Sequence, residues 1–142
     1  MPVRADSSVL ASDLRDVLGR LMRRLRSENR LPLTHGAVLG RLDRDGPQGT
    51  VELAGAERVR PQSMSQVLSE LEAQGFVSRR ADPADGRRSI LDLTDAGREA
   101  LFEDRGRRNG WLAQAIEDDF SASEQEILTQ AARLLERLAA SD

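Results

Sequence analysis

Apolar residues recur every three or four positions along most of this chain, the spacing that places them on one side of a helix. The first run covers about residues 8–29, and Leu31-Pro32-Leu33 ends it because proline lacks an amide donor. Three shorter runs predict a second helix from Thr34, a third from Thr50 to about residue 59, and a fourth over residues 61–74. The two threonines are the expected caps of their helices.

The pattern changes at residue 76. Residues 76–80 and 89–93 have the composition of short strands, and they flank the turn-forming segment Asp-Pro-Ala-Asp-Gly. Aspartate bonds its own backbone in turns, and Gly86 is expected to supply a positive φ. The sequence therefore predicts a small β-hairpin.

Two further helices follow the hairpin. Thr94 is the expected cap of the first, which reaches about residue 118 and is weakened by Gly106 and Gly110. Ser123 and Glu126 have the spacing of a capping box for the last helix. Two short helices joined by a tight turn and followed by a hairpin make a winged helix-turn-helix. The predicted fold is mainly α with a small β-hairpin wing.

The composition of the chain excludes several kinds of site. The 142 residues include no Cys and one His, so disulfides, thiolate metal sites and His-rich zinc sites are excluded, and no cofactor is expected. No apolar run approaches the roughly 20 residues that span a membrane, so a cytoplasmic protein without a membrane partner is expected. The net charge is −3. Residues 1–98 carry 16 Arg against 14 acidic residues, so the acidity lies mainly in residues 99–142 and leaves room for a local basic surface.

The start of the fourth helix has the chemistry of a major-groove reader. Its first turn and a half exposes short polar groups, while Met64 belongs to the buried stripe. The polar positions are Gln62, Ser63, Ser65 and Gln66. An ordinary solvated helix face is the alternative interpretation.

Four arginines cluster on the paired strands and around the tight turn between them: Arg79, Arg80, Arg87 and Arg88. An arginine at the tip of a wing enters a minor groove, where the potential is most negative, and its neighbours hold phosphates. Asp82 and Asp85 partly neutralise this cluster, so a solvated charged turn is the alternative.

Residues 85–97, DGRRSILDLTDAG, resemble the wing pattern of the MarR family, D-x-R-x-x-x-L-x-L-T-x-x-G, at every defined position. Residues 60–65 and 71–77 also resemble the family's recognition helix and its exit into the wing. The resemblance covers about residues 10–140. It implies a bacterial transcription regulator, expected to be a repressor, that binds double-stranded DNA as a homodimer on a palindromic operator.

The resemblance also implies roles for single residues. The helix over residues 61–74 would lie in the major groove, and Arg87 would reach the minor groove with Asp85 bracing it. This helix contains no basic residue, so arginine reading of guanine is excluded there. Much of the affinity is therefore expected from Arg60, Arg79, Arg87 and Arg88.

The predicted organisation is an N-terminal dimerisation helix in residues 1–33, a DNA-binding domain in 34–98, and C-terminal dimerisation helices in 99–142. The terminal helices carry longer aliphatic stripes than the small winged domain covers, which favours a dimer. Packing of these helices on each other within one chain is the alternative. The expected interface residues are Leu10, Leu14, Leu18, Leu134 and Leu138.

Many MarR proteins release DNA when a small phenolic or anionic molecule binds between the winged domain and the dimer helices. By this resemblance, the candidate effector residues are Met22, Arg26, His35 and Trp111. The alternatives are helix packing for Trp111 and an ordinary polar residue at a helix start for His35.

Two other classes of function are considered. An enzyme is disfavoured because the chain has no glycine-rich phosphate loop, no nucleophile elbow and no metal-ligand spacing, and we predict no catalytic or metal-binding residue. A winged-helix adaptor that binds a protein in place of DNA is compatible with the acidic C-terminal part and the uncharged fourth helix.

Overall fold

The computed structural model describes residues 6–142 and has the predicted architecture, mainly helical with a small antiparallel sheet. The order of elements is α1 (Ser7–Arg26), α2 (Leu33–Asp45), β1 (Gln48–Gly49), α3 (Thr50–Ala56), α4 (Pro61–Ala73), β2 (Val77–Ala81), β3 (Ser89–Leu93), α5 (Asp95–Asp119) and α6 (Ala122–Ala139). The chain forms two compact units, one up to Arg108 and one from Asn109 on.

The core of the first unit is aliphatic and comes from α2, α3, α4, the sheet and the start of α5. The predicted stripes on α2 and α4 are buried, with Val67 half-buried beside them. On α3 the buried residues are Leu53 and Ala54, and Ala56 is exposed, since a seven-residue helix has only a narrow inner face. The buried apolar residues are Val38, Leu39, Leu42, Leu53, Ala54, Met64, Leu68, Leu71, Val77, Leu91 and Leu101.

The sheet contains one strand that the sequence did not predict. Strands β2 and β3 form the hairpin, with Val77 opposite Leu93 and Ala81 opposite Ser89. β1 adds to the other edge of β3, where Gln48 lies opposite Leu91. The turn-forming composition of residues 45–49 gives no sign of this strand, because two residues are too few to show alternation.

Helices α1 and α6 contain no buried residue among those that the structure describes. Their apolar stripes face outward: Leu10 is 50% exposed, Leu134 is 57% exposed and Leu138 is 60% exposed. Leu18 is also exposed, and Leu14 is half-buried. Both helices are amphipathic, and the apolar residues on each are half-buried or exposed within residues 6–142.

Three of the predicted caps are wrong. α2 begins at Leu33 after Pro32, so Thr34 lies inside the helix, and Gly49 occupies the cap position before Thr50. The capping box at the start of α6 lies two residues earlier than predicted, at Ser121 and Glu124. The Ser121 amide donates to the Glu124 carboxylate at 3.0 Å, which lowers the pKa of that carboxyl. Several neighbouring residues can occupy the N-cap position of a helix, and residue type alone does not show which of them does.

A close backbone contact joins the end of the wing to the start of α5. Gly75 has a φ of +80° and directs the chain out of α4. The Thr94 hydroxyl donates to the Gly75 carbonyl at 2.6 Å and accepts from the Gly97 amide at 3.0 Å, so Thr94 caps α5 as predicted. Gly97 is buried against the Phe76 carbonyl, where a β-carbon would lie 2.9 Å from the carbonyl carbon.

A buried carboxylate holds the connection between α1 and α2. Asp104, 3% exposed on α5, accepts from the amides of Arg30 at 3.0 Å and Leu31 at 3.2 Å, and it pairs with Arg107. Burial by itself raises the pKa of Asp104, but the two amide donors and the Arg107 guanidinium outweigh it and lower the pKa.

Replacing Gly97 with alanine tests the contact at the base of the wing. We expect Gly97→Ala to destabilise the protein by about 1–3 kcal/mol, because the new methyl group overlaps backbone that has no room to move. Gly106→Ala is the matched control on the same helix: nothing lies within 4 Å of its β-carbon, so it should stabilise α5 by up to about 1 kcal/mol. Urea unfolding measures both; equal effects would contradict the contact.

Asp104 gives a stability that depends on pH. Its folded pKa is lowered, so its contribution is complete above the unfolded value of about 3.9 and is lost as pH falls through the folded pKa. We expect Asp104→Asn to lower the free energy of unfolding near neutral pH, and its deficit to shrink below about pH 4. Urea unfolding across this range, with the exposed Asp13→Asn as control, measures the deficit. A deficit that stays constant down to about pH 2 would argue against the buried carboxylate.

Candidate nucleic-acid interface

The exposed side of α4 carries polar residues in its first turns, after Pro61. Met64 and Leu68 anchor the helix in the core, and Gln62 and Gln66 lie on the opposite side, one helical turn apart. Ser63 and Ser65 flank this line, and all four polar residues are exposed. The helix therefore presents amide and hydroxyl groups, which donate and accept hydrogen bonds, without a fixed charge in its first turns.

The turn into α4 is sharp. Arg58 adopts a left-handed φ of +54° after α3, and the Val59 amide closes the turn by donating to the Ala54 carbonyl at 3.0 Å. Arg60 is extended at the cap position, and Pro61 is the first residue of the helix, as expected. Among residues 6–142, Arg60 forms no ion pair and its side chain is exposed beside the start of α4.

Two aspartate side chains shape the wing tip. Asp82 accepts from the Ala84 amide at 2.9 Å, and Asp85 accepts from the Arg87 amide at 3.1 Å. The positive φ expected at Gly86 is absent, since these side-chain hydrogen bonds make the turn without it. Asp85 thus holds the backbone of Arg87 and not its guanidinium.

The wing arginines differ in their partners. Arg87 is exposed at the tip and has no carboxylate partner within the described residues. Arg88 lies 3.8 Å from Asp85 and 3.9 Å from Glu52, which are loose ion pairs between exposed groups. The guanidinium of Arg87 is therefore the most available cation of the wing.

The two arginines on β2 are engaged by carboxylates. Arg79 shares the inner face of the hairpin with Val77 and lies 3.4 Å from Glu72 at the end of α4. Arg80 points to the outer face and lies 3.1 Å from Asp92. For Arg79 to contact a phosphate, it must leave Glu72. Its predicted role in DNA binding stays a prediction.

Helix α4 and the wing border one recess of about 440 Å³. Ser65 of α4 lines one side, and Arg87 and Arg88 line the other. The recess floor comes from β1 and the start of α3, including Thr50 and Val51. Local sequence patterns give no sign of these floor residues, because the pairing of β1 with the distant β3 brings them beside the wing.

The four candidate effector residues have different surroundings. Met22 and Arg26 are exposed on α1, and Trp111 is half-buried in the second unit. His35 is buried, and its Nε2 lies 2.7 Å from a Glu70 carboxylate oxygen. His35 lies in the first turn of α2, as the alternative of a polar helix-start residue expected, and its burial and its partner on α4 add a structural contact there. Whether these residues bind an effector stays a prediction.

Comparison with known proteins decides the family. The model of the MarR family matches residues 31–89, from the turn before α2 to the start of β3. An HTH-type transcriptional regulator of Mycobacterium tuberculosis is 37% identical over 129 residues, covering 89% of this chain and 90% of that relative. The chain belongs to the MarR family.

Solved structures agree with this assignment. A transcriptional regulator from Pseudomonas aeruginosa is 35% identical, with a TM-score of 0.85 over 98% of this chain and 100% of that one. A regulator from Thermotoga maritima, 23% identical with a TM-score of 0.76 over 95% of this chain and 99% of that one, has the same fold. This MarR protein is therefore a transcriptional regulator of the helix-turn-helix type, a class without enzymatic activity.

Two kinds of feature are absent from the part of the chain that the structure describes, a membrane-spanning helix and a metal-ligand cluster. No helix within residues 6–142 combines the length and apolar content needed to cross a bilayer. In the same range, no three His, Asp or Glu side chains are grouped so that they could hold a metal ion.

Proposed function

We propose that this MarR protein is a cytoplasmic homodimeric repressor. In this proposal, α4 enters the major groove of a palindromic operator and the wing reaches the adjacent minor groove. The observation that carries the proposal is the unpaired Arg87 at the wing tip, across one recess from Ser65 of the polar α4. An arginine without a carboxylate partner has no internal pair to give up when it meets a narrow, negatively charged groove.

The uncharged side chains at the start of α4 suit a role in distinguishing bases, with phosphate attraction left to arginines elsewhere. Gln62 and Gln66 are long enough to hydrogen-bond base edges, and serine hydroxyls bond bases or phosphates. Arg60, at the start of α4, supplies a cation at the edge of that face. In this proposal, arginines outside α4 provide most of the attraction to phosphates, and α4 provides base discrimination.

The dimer is supported by the uncovered stripes on α1 and α6. Exposed aliphatic side chains lose contact with water when a second copy covers them, and each fully buried leucine contributes about 1.5–3 kcal/mol. A two-fold pair of chains presents two copies of α4, which matches a palindromic site. The terminal helices are therefore proposed as the dimerisation elements, with the central winged domain as the DNA-binding part.

Release by a small phenolic or anionic effector is proposed only from the family resemblance. Met22 and Arg26 offer an exposed thioether and an exposed cation on neighbouring turns of α1. An anionic ligand would find a charge partner in Arg26, while its apolar part would contact Met22.

Retention of genomic fragments by the purified protein tests the proposal directly. We expect sequencing of the retained DNA to give one palindromic motif next to a promoter, and transcription from it to fall when the protein is added. Retention of no fragment, together with a stable complex with another protein, would favour the adaptor function. Activation of transcription from that promoter would overturn the repressor assignment alone.

Arg87→Ala tests the wing. We expect it to weaken binding to the recovered duplex by about 1–3 kcal/mol while leaving thermal unfolding unchanged, because the side chain is exposed and unpaired. Arg108→Ala removes the same charge from α5 and should change affinity little. Fluorescence anisotropy measures both variants, and equal losses would mean that the basic surface lies elsewhere.

Leu134→Arg tests the dimer. A charge placed in a buried apolar contact is not solvated, so we expect the variant to be monomeric at micromolar concentration. Thr129→Arg places the same charge on the opposite side of α6 and should leave the dimer intact. Sedimentation equilibrium gives both states. A monomeric wild-type protein at that concentration would contradict the proposed assembly.

A further inference from the structure

A chain of polar contacts runs from the core to the reading face of α4. His35 of α2 is 7% exposed, and its Nε2 lies 2.7 Å from one oxygen of Glu70. The other oxygen of Glu70 accepts from the side-chain amide of Gln66 at 3.4 Å. Glu70 is one turn beyond Gln66 on α4, and its side chain is 48% exposed. A buried imidazole thus contacts an exposed glutamine through one carboxylate.

The chemistry of the imidazole, the carboxylate and the amide determines which group donates each hydrogen bond. A carboxylate only accepts, so both the Nε2 of His35 and the Nε2 of Gln66 must carry the hydrogens that face it. The nitrogen of the Gln66 amide therefore lies toward Glu70, and its oxygen is available on the other side. The His35 Nδ1 is buried and has no hydrogen-bond partner among the described residues, so the short contact to Glu70 is the only one that orients the ring.

This orientation leaves Gln66 with one oxygen acceptor and one remaining N–H donor. Adenine presents the complementary pair in the major groove, the N6 amino group as donor and N7 as acceptor. We propose that Gln66 reads an adenine, and that Glu70 and His35 are positioning residues that set the direction of its amide. The inference rests on the proposed binding of α4 in the major groove.

Glu70 is also expected to weaken DNA binding in general. This effect distinguishes a residue that positions Gln66 from one that only attracts DNA. A carboxylate on the DNA-facing helix repels phosphates, so its removal should strengthen binding to any duplex. Its removal should at the same time release the amide of Gln66 and weaken the preference for adenine. General affinity and base preference are therefore expected to change in opposite directions.

The test uses the full-length protein and the duplex recovered from its genomic DNA, with each base pair substituted in turn. For wild type, we expect one A·T pair whose replacement weakens binding roughly 5- to 150-fold, the range for one bidentate contact. Substitution of 7-deazaadenine at that position removes only N7 and should weaken wild type but not Gln66→Ala. Gln66→Ala should lose the preference at this pair and keep it at the others.

Glu70→Ala should reduce the preference at the same pair to less than about a third of the wild-type ratio, with equal or tighter overall binding. Glu72→Ala is the matched control, because it removes the same charge from α4 but its partner is Arg79 and not Gln66. His35→Leu should reproduce the effect of Glu70→Ala, and His35→Gln, which keeps an N–H donor, should restore part of the preference. Thermal unfolding shows which variants are folded; if the His35 variants are not, Glu70→Ala decides alone.

The outcomes separate the two levels of the proposal. If wild type retains no DNA, the proposed function fails and this inference fails with it. If wild type binds but Glu70→Ala keeps its full preference at the Gln66 pair, the inference alone is overturned. A preference of Gln66 for a pair other than A·T would also overturn it, as would equal losses in Glu70→Ala and Glu72→Ala.

Discussion

The close contact between the Gly97 backbone and the Phe76 carbonyl is the constraint on which the geometry of the candidate interface depends. It joins the exit from α4, the base of the hairpin and the first turn of α5 at one point. The Thr94 hydroxyl strengthens this junction by donating to the Gly75 carbonyl and accepting from the Gly97 amide. A side chain larger than hydrogen at this position would separate them. In the wing motif, the terminal threonine and glycine therefore have a structural role, while the arginine near its beginning is the exposed group.

Burial is distributed unevenly along the chain. All the buried apolar residues that the structure describes lie between Val38 and Leu101, and they are aliphatic. Among the described residues, the apolar stripes of α1 and α6 are half-buried or exposed. The winged part thus has a core of its own within one chain, and in the proposed function a second copy of the chain covers the stripes of α1 and α6.

Sequence periodicity predicted the helices and the hairpin well. An element buried on one side repeats its apolar residues at a known interval, whatever it packs against. Periodicity failed where a feature depends on residues distant in the sequence. Strand β1 exists only through its pairing with β3, and the ion pair of Arg79 with Glu72 depends on how the hairpin returns toward α4. The contact of His35 with Glu70 joins residues 35 positions apart, so local spacing gave no sign of it. The exposed residues of the candidate interface were found because polar side chains on an amphipathic helix must lie opposite its core.

Most wing arginines already have carboxylate neighbours: Arg79 has Glu72, Arg80 has Asp92, and Arg88 has Asp85 and Glu52. A phosphate that meets such an arginine replaces an existing partner, so each new contact gains less than a contact with a solvated cation. Random duplex would then hold the protein only briefly, and little of it would be sequestered along the chromosome. Internal charge matching of this kind lowers the affinity for random duplex more than the affinity for a site that also offers base contacts, which raises the ratio between the two.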